Sequence, residues 1–139
     1  MRSYRCPLAP EETDHELLWL VVSLGAFLGF AVWLGAGWPT PRCAFHSLTG
    51  FPCLTCGATR AAVQFLHGHF ATSFLFNPLA FLTYCTVLAF DLYALAVVTT
   101  GAPRLRFKNI SPAEKLVARW GVVLLFAANW AYLLTARPV

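Results

Sequence analysis

Charge is what this sequence has least of. Only 12% of its 139 residues are Asp, Glu, Lys or Arg, against 58% that are hydrophobic, and the mean hydropathy is +0.63. A soluble domain carries about 25% charged residues, so this chain cannot cover an aqueous surface. It has no long polar low-complexity stretch and no Gly-X-Y repeat, which excludes a disordered or collagen-like chain. Its five cysteines are too few for a disulfide-built secreted mini-protein. The net charge is +4, yet the ten basic residues form no single stripe. Scatter through short polar stretches fits membrane topology, and no nucleic-acid partner is expected.

What the chain does have is three long apolar runs. Residues 17–38 carry no charge, 78–100 carry only Asp91, and 116–135 carry Arg119 near their start and Asn129 inside. Each exceeds the ~18 residues that a spanning helix needs. The first run is longer than a signal-peptide core, and its leader holds Glu11, Glu12, Asp14 and Glu16, so it reads as a retained helix. Local chemistry marks the other boundaries. Asn77-Pro78 offers a cap and a proline at the first helical position, Gly101-Ala-Pro103 ends that helix, and Ser111-Pro112-Ala-Glu114 opens the third. The expected fold is an all-α membrane protein forming one integral domain over 1–139. It comprises a tail (1–16), three transmembrane helices (17–38, 78–100, 116–135), a basic loop (101–115), and one or two short interfacial or re-entrant helices within 39–77.

Basic residues set the expected orientation. Arg2, Arg5, Arg104, Arg106, Lys108 and Lys115 fall on one side of this topology, and Arg42, Arg60 and Arg137 on the other. The excess marks the cytoplasmic side, placing the N-terminus inside and the 39–77 loop outside.

That loop holds the unusual residues. After the turn-rich Pro39–Pro52 stretch, Ala58, Ala61, Ala62, Phe65 and Leu66 recur at helical spacing until Gly68, and Phe70–Phe76 forms a second short helix. The residues Cys43, Thr49-Gly50, Cys53-Leu-Thr-Cys56-Gly57-Ala-Thr59-Arg60-Ala61, His67-Gly68-His69-Phe70 and Asn77-Pro78-Leu79, with Asn129-Trp130 downstream, resemble the bacterial domain-of-unknown-function family 2752. Its members are small polytopic proteins with a C-P-x-C-G-x-T-R-A core. Leu54 stands where the family usually has proline, and His69 where an acid is common. The resemblance implies a multi-pass protein of the bacterial cytoplasmic (inner) membrane and supplies no function.

Three chemistries stay open for the cysteines. Cys53 and Cys56 open a helix whose dipole, with Arg60 one turn on, would favour a thiolate, the electrostatic setting of a redox CxxC. Cys43, His46, Cys53 and Cys56 form C-x2-H-x6-C-x2-C, a donor set suited to tetrahedral zinc, with His67 or His69 as substitute ligands. A structural disulfide or plain packing would anchor the loop equally well. Cys6 and Cys85 read as bystanders. Arg60 is either an anion clamp or an interfacial snorkelling residue.

Among the span residues, Asp91 is expected to pair with Arg119, because a membrane charge needs a partner. Asn129, at the loop's depth, is expected to bond the loop or a neighbouring helix. Gly25 and Gly29 form a GxxxG that would seat another span or a second copy of the chain. No hydrolytic triad, phosphate loop or carboxylate pair is present. The favoured reading is a non-enzymatic subunit or accessory protein of the bilayer with a cysteine-anchored loop. A membrane thiol–disulfide oxidoreductase and a zinc-stabilised membrane domain are the alternatives.

Overall fold

The computed structural model describes residues 2–6, 13–39, 43–108 and 111–136. Arg42 and Arg137, used in the orientation argument, lie outside them. The elements run β1 (Arg2–Cys6), α1 (His15–Gly35), α2 (Ala44–Thr49), α3 (Ala58–Leu66), α4 (Phe70–Phe76), α5 (Pro78–Thr100), β2 (Arg104–Lys108) and α6 (Pro112–Ala136). The framework is all-α, and α1, α5 and α6 are long and apolar enough to cross a membrane. Their surfaces agree with that, since bulky apolar side chains such as Val32 (68% exposed) and Val117 (71%) face outward. Such a surface suits lipid contact and would be unusual in water.

Two compact units emerge, Met1–Trp38 with Val87–Lys115, and Pro39–Thr86 with Leu116–Val139. In the first, the Asp14 carboxylate accepts the Leu17 amide at 3.0 Å and caps α1. Leu20, Ala94 and Val97 are its buried apolar residues. The Ser23 hydroxyl lies 2.6 Å from Asp91 Oδ1, so α1 supplies a polar partner for the carboxyl group of α5. Arg119, the partner expected from the sequence, is exposed and belongs to the other unit. Replacing Ser23 by Ala and Asp91 by Asn, singly and together, should reveal a coupling of about 1 kcal/mol, the scale of hydrogen bonds between membrane helices. A cycle in detergent with no coupling beyond error would remove this bond from the account.

The pairing of β1 with β2 was not read from the sequence. It is antiparallel, with Arg2 opposite Lys108 and Cys6 opposite Arg104. The alternation Arg104-Leu-Arg-Phe-Lys108 was its period-two signal. The Ser111–Glu114 capping box is formed, with Ser111 N–H donating to Glu114 Oε2 at 2.8 Å and Glu114 N–H to Ser111 Oγ at 3.2 Å. It starts α6 at Pro112, ahead of the apolar run. A methyl group added at Gly25 or Gly29 would meet nothing within 4 Å among the described residues.

In the second unit, three short helices occupy the loop, one more than the Gly57–Phe76 pattern indicated. The extra helix is α2, which Gly50 ends in the left-handed region (φ 73°). Around Phe65 the rings of Phe70, Phe81 and Tyr84 gather at centroid distances of 5.3, 5.8 and 5.7 Å. Ala61 and Leu133 are fully buried, and so is Ser73, whose hydroxyl donates to the Ala61 carbonyl at 2.7 Å. That bond ties α4 to α3.

Candidate functional site: a three-thiol loop

The loop between α2 and α3 is a tight turn. Cys56 N–H donates to the Cys53 carbonyl at 3.0 Å and Ala58 N–H to the Thr55 carbonyl at 3.0 Å. Gly57 follows with φ 83° and serves as the N-cap of α3. A methyl group on Gly57 would lie 2.8 Å from the Phe76 carbonyl oxygen. The position therefore excludes every other residue twice, by conformation and by the passing backbone.

The loop's carbonyls are held by side chains from outside it. Asn77, 1% exposed, donates its amide to Leu54 O at 3.2 Å and to Cys56 O at 3.0 Å. Its own Oδ1 accepts Ala80 N–H at 3.0 Å and caps α5. Asn129 donates to the same Leu54 O at 3.1 Å, and its Oδ1 accepts Leu79 N–H at 3.0 Å. Trp130 Nε1 donates to Pro52 O at 3.1 Å, Tyr84 to Ala58 O at 2.9 Å, and Tyr132 to Leu75 O at 2.9 Å. Both lone pairs of the Leu54 carbonyl are thus engaged. A loop pinned at successive carbonyls presents its side chains in fixed positions.

Those side chains are thiols. The sulfurs of Cys43, Cys53 and Cys56 all lie within 4.8 Å of one another, close enough to bind a metal ion. Cys43 Sγ and Cys53 Sγ are only 3.1 Å apart. The upstream cysteine thus lies in sulfur–sulfur contact with Cys53. Partial burial pushes both motif thiols up. At Cys53 this is outweighed by hydrogen bonds from the Thr55 hydroxyl, the Cys43 sulfhydryl and the Thr55 amide, so its pKa falls below the ordinary thiol value. Cys56 lies above that value, chiefly through burial and also because negative charge on Cys53 or Cys43 would oppose its own.

The other residues singled out from the sequence fall elsewhere. His46 is exposed on α2 and is not among the converging ligand atoms. His67 Nδ1 bonds Val63 O at 2.7 Å and His69 Nδ1 bonds Gln64 Oε1 at 2.9 Å, their rings stacked 6.4 Å apart. They too lie outside the thiol group. Cys85 is half-buried in α5, and Arg60 is exposed on the first turn of α3. Sequence reading missed Ser73, Tyr84 and Tyr132. Their signal was a hydroxyl on an otherwise apolar helix, which must find a carbonyl.

Comparison with known proteins adds one finding. No curated protein and no solved structure matches the chain. A family model described as "Protein of unknown function (DUF2752)" matches residues 43–99. That segment begins at the first thiol and runs through the CxxC turn, Arg60, the Asn77 clamp and nearly all of α5. Over residues 43–99 the chain is thus similar to the DUF2752 family.

Proposed function

We propose that this is a non-enzymatic integral membrane protein, an accessory or subunit of a larger assembly, whose extramembrane loop is fastened by a soft divalent cation at Cys43, Cys53 and Cys56. Zinc is the ion that donor set favours. The carrying observation is the convergence of all three sulfurs within 4.8 Å, because packing alone gives no reason for a third thiol beside a CxxC. The turn supports it, with Thr55 bonding the Cys53 sulfur and Gly57 freeing the chain to curl past Cys56. Three thiolates leave the fourth tetrahedral position to water or to a donor from a partner protein.

Purified, fully reduced protein should bind about one zinc per chain with Kd below about 1 µM, or about 8 kcal/mol. Cobalt should give thiolate charge-transfer absorption. Replacing Cys43, Cys53 and Cys56 together by Ser should abolish both. Reduced wild-type protein that takes up no metal would end this reading.

The 3.1 Å approach of Cys43 to Cys53 favours a second reading, thiol–disulfide exchange. Two thiols would pass two electrons and two protons to a small disulfide oxidant, closing Cys43–Cys53 and releasing two small thiols, while Cys56 remains free to attack that bond. Protein isolated without reductant should then show two fewer titratable thiols and no metal.

Orientation belongs to the same proposal, with the N-terminus cytoplasmic in a bacterial inner membrane and the thiol loop outside. The β1–β2 pairing supports it, since tail and basic loop then share a side and their arginines and lysines add in one compartment. In intact cells a membrane-impermeant maleimide should reach the loop cysteines, after reductant if they form a disulfide or after a chelator if they hold metal. Labelling of Cys6 instead of the loop would invert the topology.

A further inference from the structure

Arg60 stands in a stretch that contains no acid at all. Between Glu16 and Asp91 the sequence has no Asp or Glu, so the loop supplies no counter-ion of its own. Among the described residues the Arg60 guanidinium takes part in no hydrogen bond or ion pair. It lines a groove of about 230 Å³ together with Thr59, Val63, Gln64 and Phe76. The donors there have spare capacity. Thr59 has no described partner for its hydroxyl. Gln64 has its oxygen engaged by His69 Nδ1 at 2.9 Å, which leaves the amide N–H groups to donate. Val63 and Phe76 supply an apolar flank. A volume below the ~300–1,000 Å³ of drug-sized pockets suits a headgroup-sized ligand.

We infer that this groove binds a phosphate group. Arginine's planar fork matches phosphate oxygens bidentately, the Thr59 hydroxyl and Gln64 amide add neutral donors, and no carboxylate competes. The phosphate has two chemical sources, an anionic phospholipid headgroup or the free ion. The apolar flank and the start of the α5 span at Pro78, two residues past Phe76, suit the lipid. The site uses none of the three thiols, so it stands or falls separately from the metal reading.

The full-length protein in uncharged maltoside micelles is titrated with dihexanoyl-phosphatidylglycerol, dihexanoyl-phosphatidylcholine and inorganic phosphate, with binding followed by tryptophan fluorescence. Wild-type protein should bind phosphatidylglycerol at least about fivefold more tightly than phosphatidylcholine, and Arg60→Gln should weaken it about tenfold, a loss of about 1.4 kcal/mol. Arg60→Lys, which keeps the charge and loses the fork, should fall between them. Arg60-dependent binding of phosphatidylglycerol alone identifies the lipid, and equal Arg60-dependent binding of inorganic phosphate identifies the free ion. Binding of neither ligand, or binding unchanged in Arg60→Gln, overturns the inference. Helix content and zinc uptake of each variant are measured alongside. Should Arg60→Gln misfold, Thr59→Val and Gln64→Leu carry the test, each expected to weaken binding about threefold; no loss in either would also overturn it.

Discussion

Replacing Asn77 by alanine should destabilise the loop unit by about 3 kcal/mol. One side chain is performing two tasks whose costs add. Its oxygen caps α5 through Ala80 N–H, and removing an N-cap costs about 1 kcal/mol. Its amide donates to Leu54 O and Cys56 O. Leu54 O keeps Asn129, but Cys56 O, which is part-buried, loses the donor that reaches it from outside the turn, and an acceptor left without its partner there costs about 1–2 kcal/mol. Asn77→Ser offers a hydroxyl to the cap and cannot span to the loop, so it should recover about 1 kcal/mol. The Cys56 carbonyl belongs to a residue whose sulfur is in the thiol group, so the loss should be felt there as well. If zinc binds as proposed, Asn77→Ala should weaken it about tenfold, the scale of supporting hydrogen bonds around metal ligands. Denaturant titration in mixed micelles gives the stability, and competition with a chromophoric chelator gives the affinity. A loss under 1 kcal/mol with unchanged zinc affinity would show that the clamp is ornamental.

Much of this was legible in the sequence, and the reason differs by element. The spans were legible because bilayer thickness sets a length that no other requirement imposes, and 78–100 is helical over the residues its caps marked. The short helices α3 and α4 were legible because glycines with positive φ end their patterns, Gly57 before α3 and Gly68 between them (φ 83° and 77°). Helix α2 was hidden by the prolines and threonine around it. It is too short to show a period, and side-chain bonds such as Thr49 Oγ1 to Phe45 O at 2.7 Å hold it. The β1–β2 pairing joins segments about a hundred residues apart in the chain, and alternation in five residues does not name a partner.

The candidate site divides in the same way. Cysteine spacing nominated the thiols that meet, and Cys43, Cys53 and Cys56 do. Spacing also nominated His46, because two residues separate it from Cys43. Helix α2 begins right after Cys43, and His46 remains exposed, outside the thiol group. The clamps were the least legible part. An asparagine in an apolar helix announces that it needs partners, but nothing in the spelling of Asn129 says that the partner is the carbonyl of Leu54 75 residues away. Backbone acceptors have no letter in a sequence.

Gly57→Ala should be the most damaging single methyl in the molecule, and Gly68→Ala shows how to prove it. Both glycines sit in the left-handed region, Gly57 at φ 83° and Gly68 at φ 77°. Each alanine therefore meets the same conformational penalty, about 1–2 kcal/mol. Their surroundings differ completely. A methyl on Gly68 would meet nothing within 4 Å, whereas on Gly57 it would sit 2.8 Å from the Phe76 carbonyl oxygen. That oxygen is backbone at the end of α4, next to Asn77, so it cannot rotate aside as a side-chain tip would. Relief requires moving either the α3 N-terminus, and with it Cys56, or the Asn77 clamp. Gly57→Ala should therefore cost at least about 3 kcal/mol, in the range of overpacked interiors added to backbone strain. Gly68→Ala should stay near the conformational term alone. The difference between the two isolates the close approach of α4 to the thiol turn. It should appear twice, as a lower unfolding midpoint and as slower or incomplete capture of cobalt by the three thiols. Equal losses for the two variants would mean that the 2.8 Å approach relaxes freely, and the rigid seating of Cys56 against α4 would have to be abandoned.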